Sequence, residues 1–255
     1  MPSALIGYTG FVGSNLAAEH NFDDLFNSSS IGDIEAKSYD LIVSAGARAE
    51  KWRINQESEK DLAEIDSLIE HLKTVNTQQF VLISTVDIYK NPVDVDEDTR
   101  IDTDGLHPYG SNRYHLEKFV REQFDGLVVR LPGLFGMGLK KNVIYDLLND
   151  NNVDRIHHAG SFQYYNLDYV WRDIEIALGA NIKLLNIATE PVRADEIAEY
   201  CFGMKDFSNE PEGVAAGSYD MRTKHASIFG KTGNYLYSKQ EVLDDIKRYV
   251  EATKT

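Results

Sequence analysis

Ala4-Leu5-Ile6-Gly7-Tyr8-Thr9-Gly10-Phe11-Val12-Gly13-Ser14-Asn15-Leu16 is the stretch on which the rest of the chain depends. A short apolar run enters a glycine-rich turn, and a helical pattern leaves it. The glycines at 7, 10 and 13 fall three residues apart. Gly7 permits a tight turn at a strand end, and Gly10 lets a diphosphate approach the backbone. Gly13 lets the helix pack close to the strand, and the free N–H groups and dipole of that helix face the phosphate. Taken alone, the pattern also fits a plain strand–turn–helix.

The spacing resembles the G-x-x-G-x-x-G fingerprint of the extended short-chain dehydrogenase/reductases, the NAD(P)-dependent nucleotide-sugar epimerases, dehydratases and reductases. Ile6 stands where many members carry Thr. The resemblance implies that Gly7, Gly10, Phe11, Val12 and Gly13 contact the cofactor. It also implies a Rossmann-like, doubly wound parallel α/β sheet with a small C-terminal substrate lobe. Residues 1–134 are expected to form the NAD(P)-binding core. Residues 135–255 are expected to hold the remaining sheet elements and the lobe, interleaved with that core.

Composition narrows the partners. The chain has 255 residues, of which 42% are hydrophobic, enough for a full core. Its formal net charge of −15 disfavours sequence-blind binding to nucleic acid or to anionic membranes, so an anionic substrate needs a local basic pocket. The single cysteine, Cys201, excludes an internal disulfide and a cysteine metal cluster, and is expected to be a small buried residue. No zinc spacing is present, and no metal site is expected. No apolar run reaches membrane-span length and no signal-peptide pattern opens the chain, so a cytoplasmic protein is expected.

The second strand is expected near residues 24–27. Its end reads the ribose nearest adenine. Asn27 and three serines stand there, with neither an acid nor an arginine, so NAD and NADP are not separated. Asn27, Asp33 and Ile34 are the positions the resemblance places beside the adenosine. Residues 39–47 read as a buried strand ending in Ala45, Gly46 and Ala47, small enough for a cofactor backbone to pass. Arg48, Lys51, Trp52 and Arg53 follow, as a basic rim for phosphate or as a solvated loop. Lys51 is the candidate substrate contact among them. Residues 55–75 carry Leu62, Ile65, Leu68, Ile69 and Leu72 at helical spacing.

The chemistry is expected at two further motifs. Phe80-Val81-Leu82-Ile83-Ser84 is a buried strand running into Thr85-Val86-Asp87-Ile88-Tyr89. Thr85 holds the register of the family's catalytic hydroxyl, and Ser84 precedes it as a cofactor contact. Asp87 lies where sugar-nucleotide dehydratases often carry Glu. A hydroxyl and an acid capping a turn is the plainer reading. Next, Pro108-Tyr109-Gly110-Ser111-Asn112-Arg113 opens a helix and resembles Pro-Tyr-Gly-x-x-Lys, with Arg113 in place of Lys. A spacing of four puts both groups on one helix face. A cation there lowers a phenol's pKa from about 10 and can hold the nicotinamide ribose. Arg keeps the charge but presents a bulkier planar fork.

Downstream, Leu131 and Pro132 are candidate cofactor contacts after the strand at residues 126–131. Lys140 and Lys141 are expected to start a helix and to face either phosphate or water. Residues 162–167, 184–187 and 192–202 read as strand, strand and helix. Arg222 and Lys224 are candidates for a substrate diphosphate, and His225 for local packing. Ser238-Lys239-Gln240-Glu241 is a capping box before the last helix.

The expectation is an NAD(P)-dependent enzyme acting on a nucleotide-linked sugar. Tyr109 is the acid/base, Thr85 binds the same oxygen, and Arg113 tunes the tyrosine. Asp87 tilts the choice towards a dehydratase. The alternative is a catalytically silent NAD(P)-binding sensor or scaffold, and a third reading is action on a non-nucleotide carbonyl compound. A homodimer through the helices near residues 62–72 and 109–124 is implied by the resemblance.

Overall fold

The computed structural model describes residues 2–254. In chain order the elements are β1 (Ser3–Ile6), α1 (Phe11–Glu19), β2 (Asp24–Phe26), β3 (Ser38–Ser44), α2 (Lys51–Gln56), α3 (Ser58–Leu72) and β4 (Asn76–Thr85). Then follow β5 (Val93–Val95), α4 (Pro108–Gln123), β6 (Gly126–Leu131), β7 (Gly133–Phe135), α5 (Val143–Asn149), β8 (Ser161–Phe162) and β9 (Tyr164–Asn166). The chain continues with α6 (Val170–Gly179), β10 (Leu184–Asn186), β11 (Val192–Arg193), α7 (Ala194–Phe202), β12 (Asp220–Met221) and α8 (Lys239–Thr253).

Two compact units divide the chain. The first comprises Met1–Asn91, Thr99–Arg130 and Val170–Leu185; the second comprises Pro92–Asp98, Leu131–Tyr169 and Asn186–Thr255.

The first unit is built on a six-stranded sheet in the order β10-β6-β4-β3-β1-β2. β1 pairs in parallel with β2 and with β3, Leu5 lying opposite both Leu25 and Val43, and β3 pairs in parallel with β4. Every residue of β1 and of β6 is buried, as a sheet covered on both faces requires. The strand order reverses across β1 and β3. Such a reversal leaves a crevice at the carboxyl ends of the two strands, where open α/β sheets bind ligands. Ile6, Ile42, Phe80, Leu82 and Val128 of the sheet share a core with Ile65, Ile69 and Leu72 of α3 and with Leu116 and Val120 of α4.

The long helix expected over residues 55–75 is two helices, α2 and α3, broken at Glu57. The apolar spacing runs through the break and hides it. Lys140 and Lys141 precede α5 rather than start it. Asn142 caps that helix, its Oδ1 accepting the Tyr145 N–H at 3.1 Å.

Among the described residues of the second unit, β5 pairs with β12 and β7 with β9 in parallel, and β8 with β11 antiparallel. The helix expected from residue 192 begins at Ala194, because Val192 and Arg193 pair with β8. Gln163 braces this unit, donating to the carbonyls of Thr189 and Met221 at 2.5 and 2.7 Å and accepting the Met221 N–H at 2.7 Å. The predicted capping box of α8 is present. The Ser238 N–H donates to Glu241 at 2.8 Å, and Ser238 Oγ accepts the Glu241 N–H at 3.3 Å.

Candidate active site

The glycine turn fills the crevice end of β1. Gly7 has φ of +85°, and a Cβ placed there would lie 2.5 Å from the Ala45 carbonyl oxygen. A Cβ on Gly13 would lie 2.0 Å from the Gly7 carbonyl oxygen, so α1 rests directly against the turn. Gly10 is the N-cap of α1, with no side chain capping it and no acid in the first turn. The first N–H groups of α1 are therefore left for an anion, which the helix dipole favours. Phe11 and Val12 begin that helix. Ala45, Gly46 and Ala47 follow β3 across the crevice, and the Ala45 N–H donates to the Ile6 carbonyl at 2.9 Å. A Cβ on Gly46 would meet Ile6 at 2.9 Å. These glycines form a cradle that side chains would fill, which fits a dinucleotide diphosphate.

Asn27 follows β2. Its Oδ1 accepts from the Ser29 N–H and hydroxyl at 2.9 and 2.7 Å, and its amide faces the Tyr8 hydroxyl at 3.4 Å. Asp33 and Ile34 sit in a short 3-10 turn, where Ile34 is fully buried in the core, so its side chain serves packing.

Thr85 ends β4 and caps the 3-10 turn at Val86–Ile88. Its Oγ1 accepts the Asp87 N–H at 3.1 Å. The Thr85 hydroxyl also lies close enough to the Tyr109 phenol to pull its pKa down. Tyr109 is buried in the first turn of α4. A Cβ on Gly110 would lie 2.3 Å from the Asp87 carbonyl oxygen, so this helix end rests on the turn that carries Asp87. Lys51 Nζ lies 2.7 Å from Asp87 Oδ1. The sequence offers Lys51 as a phosphate contact; here its ammonium is paired with the Asp87 turn.

Arg113 lies one turn beyond Tyr109, its guanidinium 4.7 Å from the tyrosine ring centroid. It donates from Nη1 to Asp61 Oδ2 at 2.8 Å and from Nη2 to Asp61 Oδ1 at 3.0 Å, and also to the Arg48 carbonyl. Asn112 donates to the same Asp61 at 2.9 Å and to the Ser58 carbonyl at 3.1 Å. Asn55 Oδ1 accepts the Tyr109 N–H at 3.0 Å. Residues 109, 112 and 113 are thus each fastened to α2 or to the start of α3. One turn further, Glu117 accepts from Ser84 Oγ at 2.5 Å and from Arg130 Nη2 at 2.7 Å. Arg130 also donates to the Tyr89 hydroxyl at 2.8 Å. The Ser84 hydroxyl therefore faces a buried ion pair rather than the crevice.

The phenol of Tyr109 is held above its ordinary value. Burial is the main cause; Arg113, the Thr85 hydrogen bond and Lys51 pull the other way, and Asp87 adds to the rise. A guanidinium at this position was expected to lower the phenol, and it does, but desolvation outweighs it. His107, two residues before Tyr109, was not among the expected site residues. Its Nδ1 accepts the Gly110 N–H at 3.0 Å, which places the proton of a neutral ring on Nε2. Burial, and then Lys51, hold this imidazole below its usual pKa. Asn55, Asp61 and His107 were all missed. Only His107 carried a signal, as a potential N-cap before Pro108.

The remaining expected residues lie in the second unit. Leu131 is the buried last residue of β6, and Pro132 follows it. Arg222 is paired with Asp94 and with Asp220, the latter at 2.9 Å, and Lys224 is paired with Asp98. Among the described residues, no group of three or more His, Cys, Asp or Glu is placed to hold a metal ion, and no helix is long and apolar enough to cross a membrane.

No family model matches this chain, and no curated protein matches it by sequence. Solved structures match along its whole length. UDP-glucose 4-epimerase from Thermotoga maritima, with UDP-glucose, is 16% identical over 100% of both chains, at a TM-score of 0.73. MoeE5, in complex with UDP-glucuronic acid and NAD, is 15% identical over 99% of this chain and 100% of its own, at 0.75. RMD from Pseudomonas aeruginosa, complexed with NADPH, is 17% identical over 99% of this chain and 100% of its own, at 0.71. Sugar-nucleotide epimerases, dehydratases and reductases recur among the matches. At these identities the likeness is one of fold. The chain shares with these structures a Rossmann-like α/β fold.

Proposed function

We propose that this protein is an NAD(P)-dependent epimerase, dehydratase or reductase acting on a nucleotide-linked sugar. The observation that carries the reading is the Thr85–Tyr109 pair, set at the end of β4 in the same sheet whose glycine cradle closes β1. Gly7, Gly10 and Gly13, with Ala45 and Gly46, would hold the cofactor's diphosphate. When bound, the nicotinamide supplies a hydride acceptor or donor beside the sugar carbon.

The chain's own groups handle the proton. Tyr109 takes it from, or returns it to, the sugar oxygen at that carbon. Thr85 donates a hydrogen bond to the same oxygen, its direction set by the Asp87 N–H that occupies its lone pair. Asp87, if it faces the sugar, would move a proton on a neighbouring carbon. That step permits loss of water and favours a dehydratase over the other two reactions. Arg222 and Lys224 belong to this reading as contacts to the substrate diphosphate, after release from their acidic partners. A homodimer through α3 and α4 is also part of it, and a monomeric mass in solution would remove that part.

The test is a nucleotide-sugar panel incubated with both cofactor pairs and followed by mass spectrometry. Loss of water would identify a dehydratase, a change of two hydrogens a reductase, and altered retention at constant mass an epimerase. Tyr109→Phe should abolish turnover while leaving cofactor affinity nearly intact; retained turnover would sink the assignment.

A second reading, a silent cofactor-binding protein, is favoured by the commitment of Arg113 to Asp61. It predicts cofactor binding with every sugar in the panel unchanged.

A further inference from the structure

We propose that Lys51, carried on α2, is the cation that positions and steadies the Tyr109 phenolate during proton exchange, the task for which the sequence offers Arg113. This rests on the enzymatic reading above.

At rest Arg113 lowers the phenol more than Lys51 does, but it is poorly placed to move onto the oxygen as charge develops. Its two terminal nitrogens are bonded to both oxygens of Asp61 and to the Arg48 carbonyl, in a pair whose side chains are 4% and 5% exposed. Its guanidinium faces the tyrosine ring rather than reaching past it. Turning towards a ribose or a phenolate oxygen would strand a buried carboxylate, a costly exchange.

Lys51 has the opposite character. Its ammonium and the Asp87 carboxylate are 38% and 17% exposed, within reach of a ligand. Asp87 is tied through its N–H to Thr85, the tyrosine's own partner. The helix that carries Lys51 is fixed on the same target. Asn55 lies one turn after Lys51, and its Oδ1 accepts the Tyr109 N–H at 3.0 Å. Residues four apart share one face of a helix. One face of α2 therefore delivers both an ammonium to the Asp87 turn and an anchor to the tyrosine's backbone. The contact of Gly110 with the Asp87 carbonyl closes the arrangement from the α4 side. An ammonium on a flexible stem can also change partners, moving from Asp87 to a phenolate as charge develops there, whereas a bidentate guanidinium cannot do so cheaply.

The charged and titratable groups around the phenol are Lys51 from α2, Asp61 from α3 through Arg113, Asp87 from the turn after β4, and His107 and Arg113 from α4. The experiment separates Lys51 from the others without requiring turnover. The full chain is labelled with ζ-13C-tyrosine, the Tyr109 resonance is assigned by its loss in Tyr109→Phe, and its titration is followed from neutral to alkaline pH.

Lys51→Met should move the titration to higher pH, and Lys51→Arg should restore it. Asp87→Asn should move it to lower pH. General loosening of the site would move Lys51→Met and Asp87→Asn the same way, so opposite shifts identify the charge effect. Lys60→Met, at an exposed lysine on α3, is the control that should change nothing. With a substrate from the panel, Lys51→Met should lower turnover about tenfold or more at neutral pH, with the deficit narrowing as pH rises. An unmoved titration in Lys51→Met overturns the proposal even if the panel yields a substrate. A moved titration with no turnover on any sugar supports the charge role and removes the enzymatic reading.

Discussion

Arg113 and Asp61 face each other through two parallel hydrogen bonds, of 2.8 and 3.0 Å, with both side chains buried. The geometry is the fork-on-carboxylate arrangement that arginine makes and lysine does not. It explains why an arginine stands one turn after Tyr109: the position bridges α4 to α3, and Asn112 reinforces the bridge through the same carboxylate.

Breaking this pair from one side should be severe. Asp61→Asn leaves a buried guanidinium without its counter-charge, which costs about 3–5 kcal/mol. Asp61→Leu combined with Arg113→Met should cost less than the single change, because no charge is left stranded. Denaturant unfolding of the three proteins measures this. Glu64→Gln, which breaks the exposed Arg48–Glu64 pair, should cost less than about 1 kcal/mol.

The glycine cradle gives a second expectation. In Gly13→Ala the new methyl must displace the Gly7 carbonyl, 2.0 Å away, and with it the seat of α1. Overpacking of this kind costs about 1–3 kcal/mol, and it tilts the N–H groups that would receive a phosphate. Thermal unfolding should fall and cofactor affinity should fall with it. Gly179→Ala, at the last residue of α6 with no atom near the new methyl, should be neutral or slightly stabilising.

The two halves of the site differed in how far the sequence disclosed them. The glycine turn and the Thr85 and Tyr109 motifs are local patterns, each readable within a dozen residues. The partners that decide their chemistry are not local. Asp61 meets Arg113 across 52 residues of chain, and Lys51 meets Asp87 across 36. No periodicity reports such pairs, because only the stacking of α2, α3 and α4 beside β4 brings them together. For the same reason the break at Glu57 was hidden: Ile54 and Leu62 continue the apolar pattern that a single helix would have. Ser84 was read as a cofactor contact from its place at a strand end, and its hydroxyl turned inward because Glu117 offered a buried acceptor.

Cys201 supplies a pH-dependent expectation. Burial pushes its thiol up to about 12 from an ordinary value of 9.0, and Sγ lies 3.5 Å from the Leu243 carbonyl. The thiolate is the reactive form, so alkylation of the folded protein near pH 9 should be far slower than that of the unfolded chain. The sign for stability follows. Between 9 and about 12 the unfolded chain loses this proton and the folded chain keeps it. The contribution is complete below 9 and is lost as pH rises through that window. The stability difference between Cys201→Ala and the parent should therefore change with pH there and be constant below it.

Glu97 holds the second unit in the way Asp61 holds the first. Its carboxylate accepts the Asn186 N–H at 2.9 Å, the Thr223 hydroxyl at 2.6 Å and the Lys224 N–H at 3.0 Å. Three donors converge on two oxygens, and the segment Pro92–Asp98 is pinned to chain more than a hundred residues away in sequence. Glu97→Gln keeps the shape but offers an NH2 to one of these donors, so one backbone N–H loses its acceptor. That should cost about 1–3 kcal/mol, and the loss should be local. Amide exchange at Asn186 or at Lys224 should quicken, according to which oxygen becomes the NH2, while the amides of β1 and β3 keep their protection. Asp98→Asn, which removes only the exposed partner of Lys224, should leave both amides protected and cost less than about 1 kcal/mol. Equal effects of the two substitutions would mean that charge near Lys224, and not the buried three-donor arrangement, holds this segment in place.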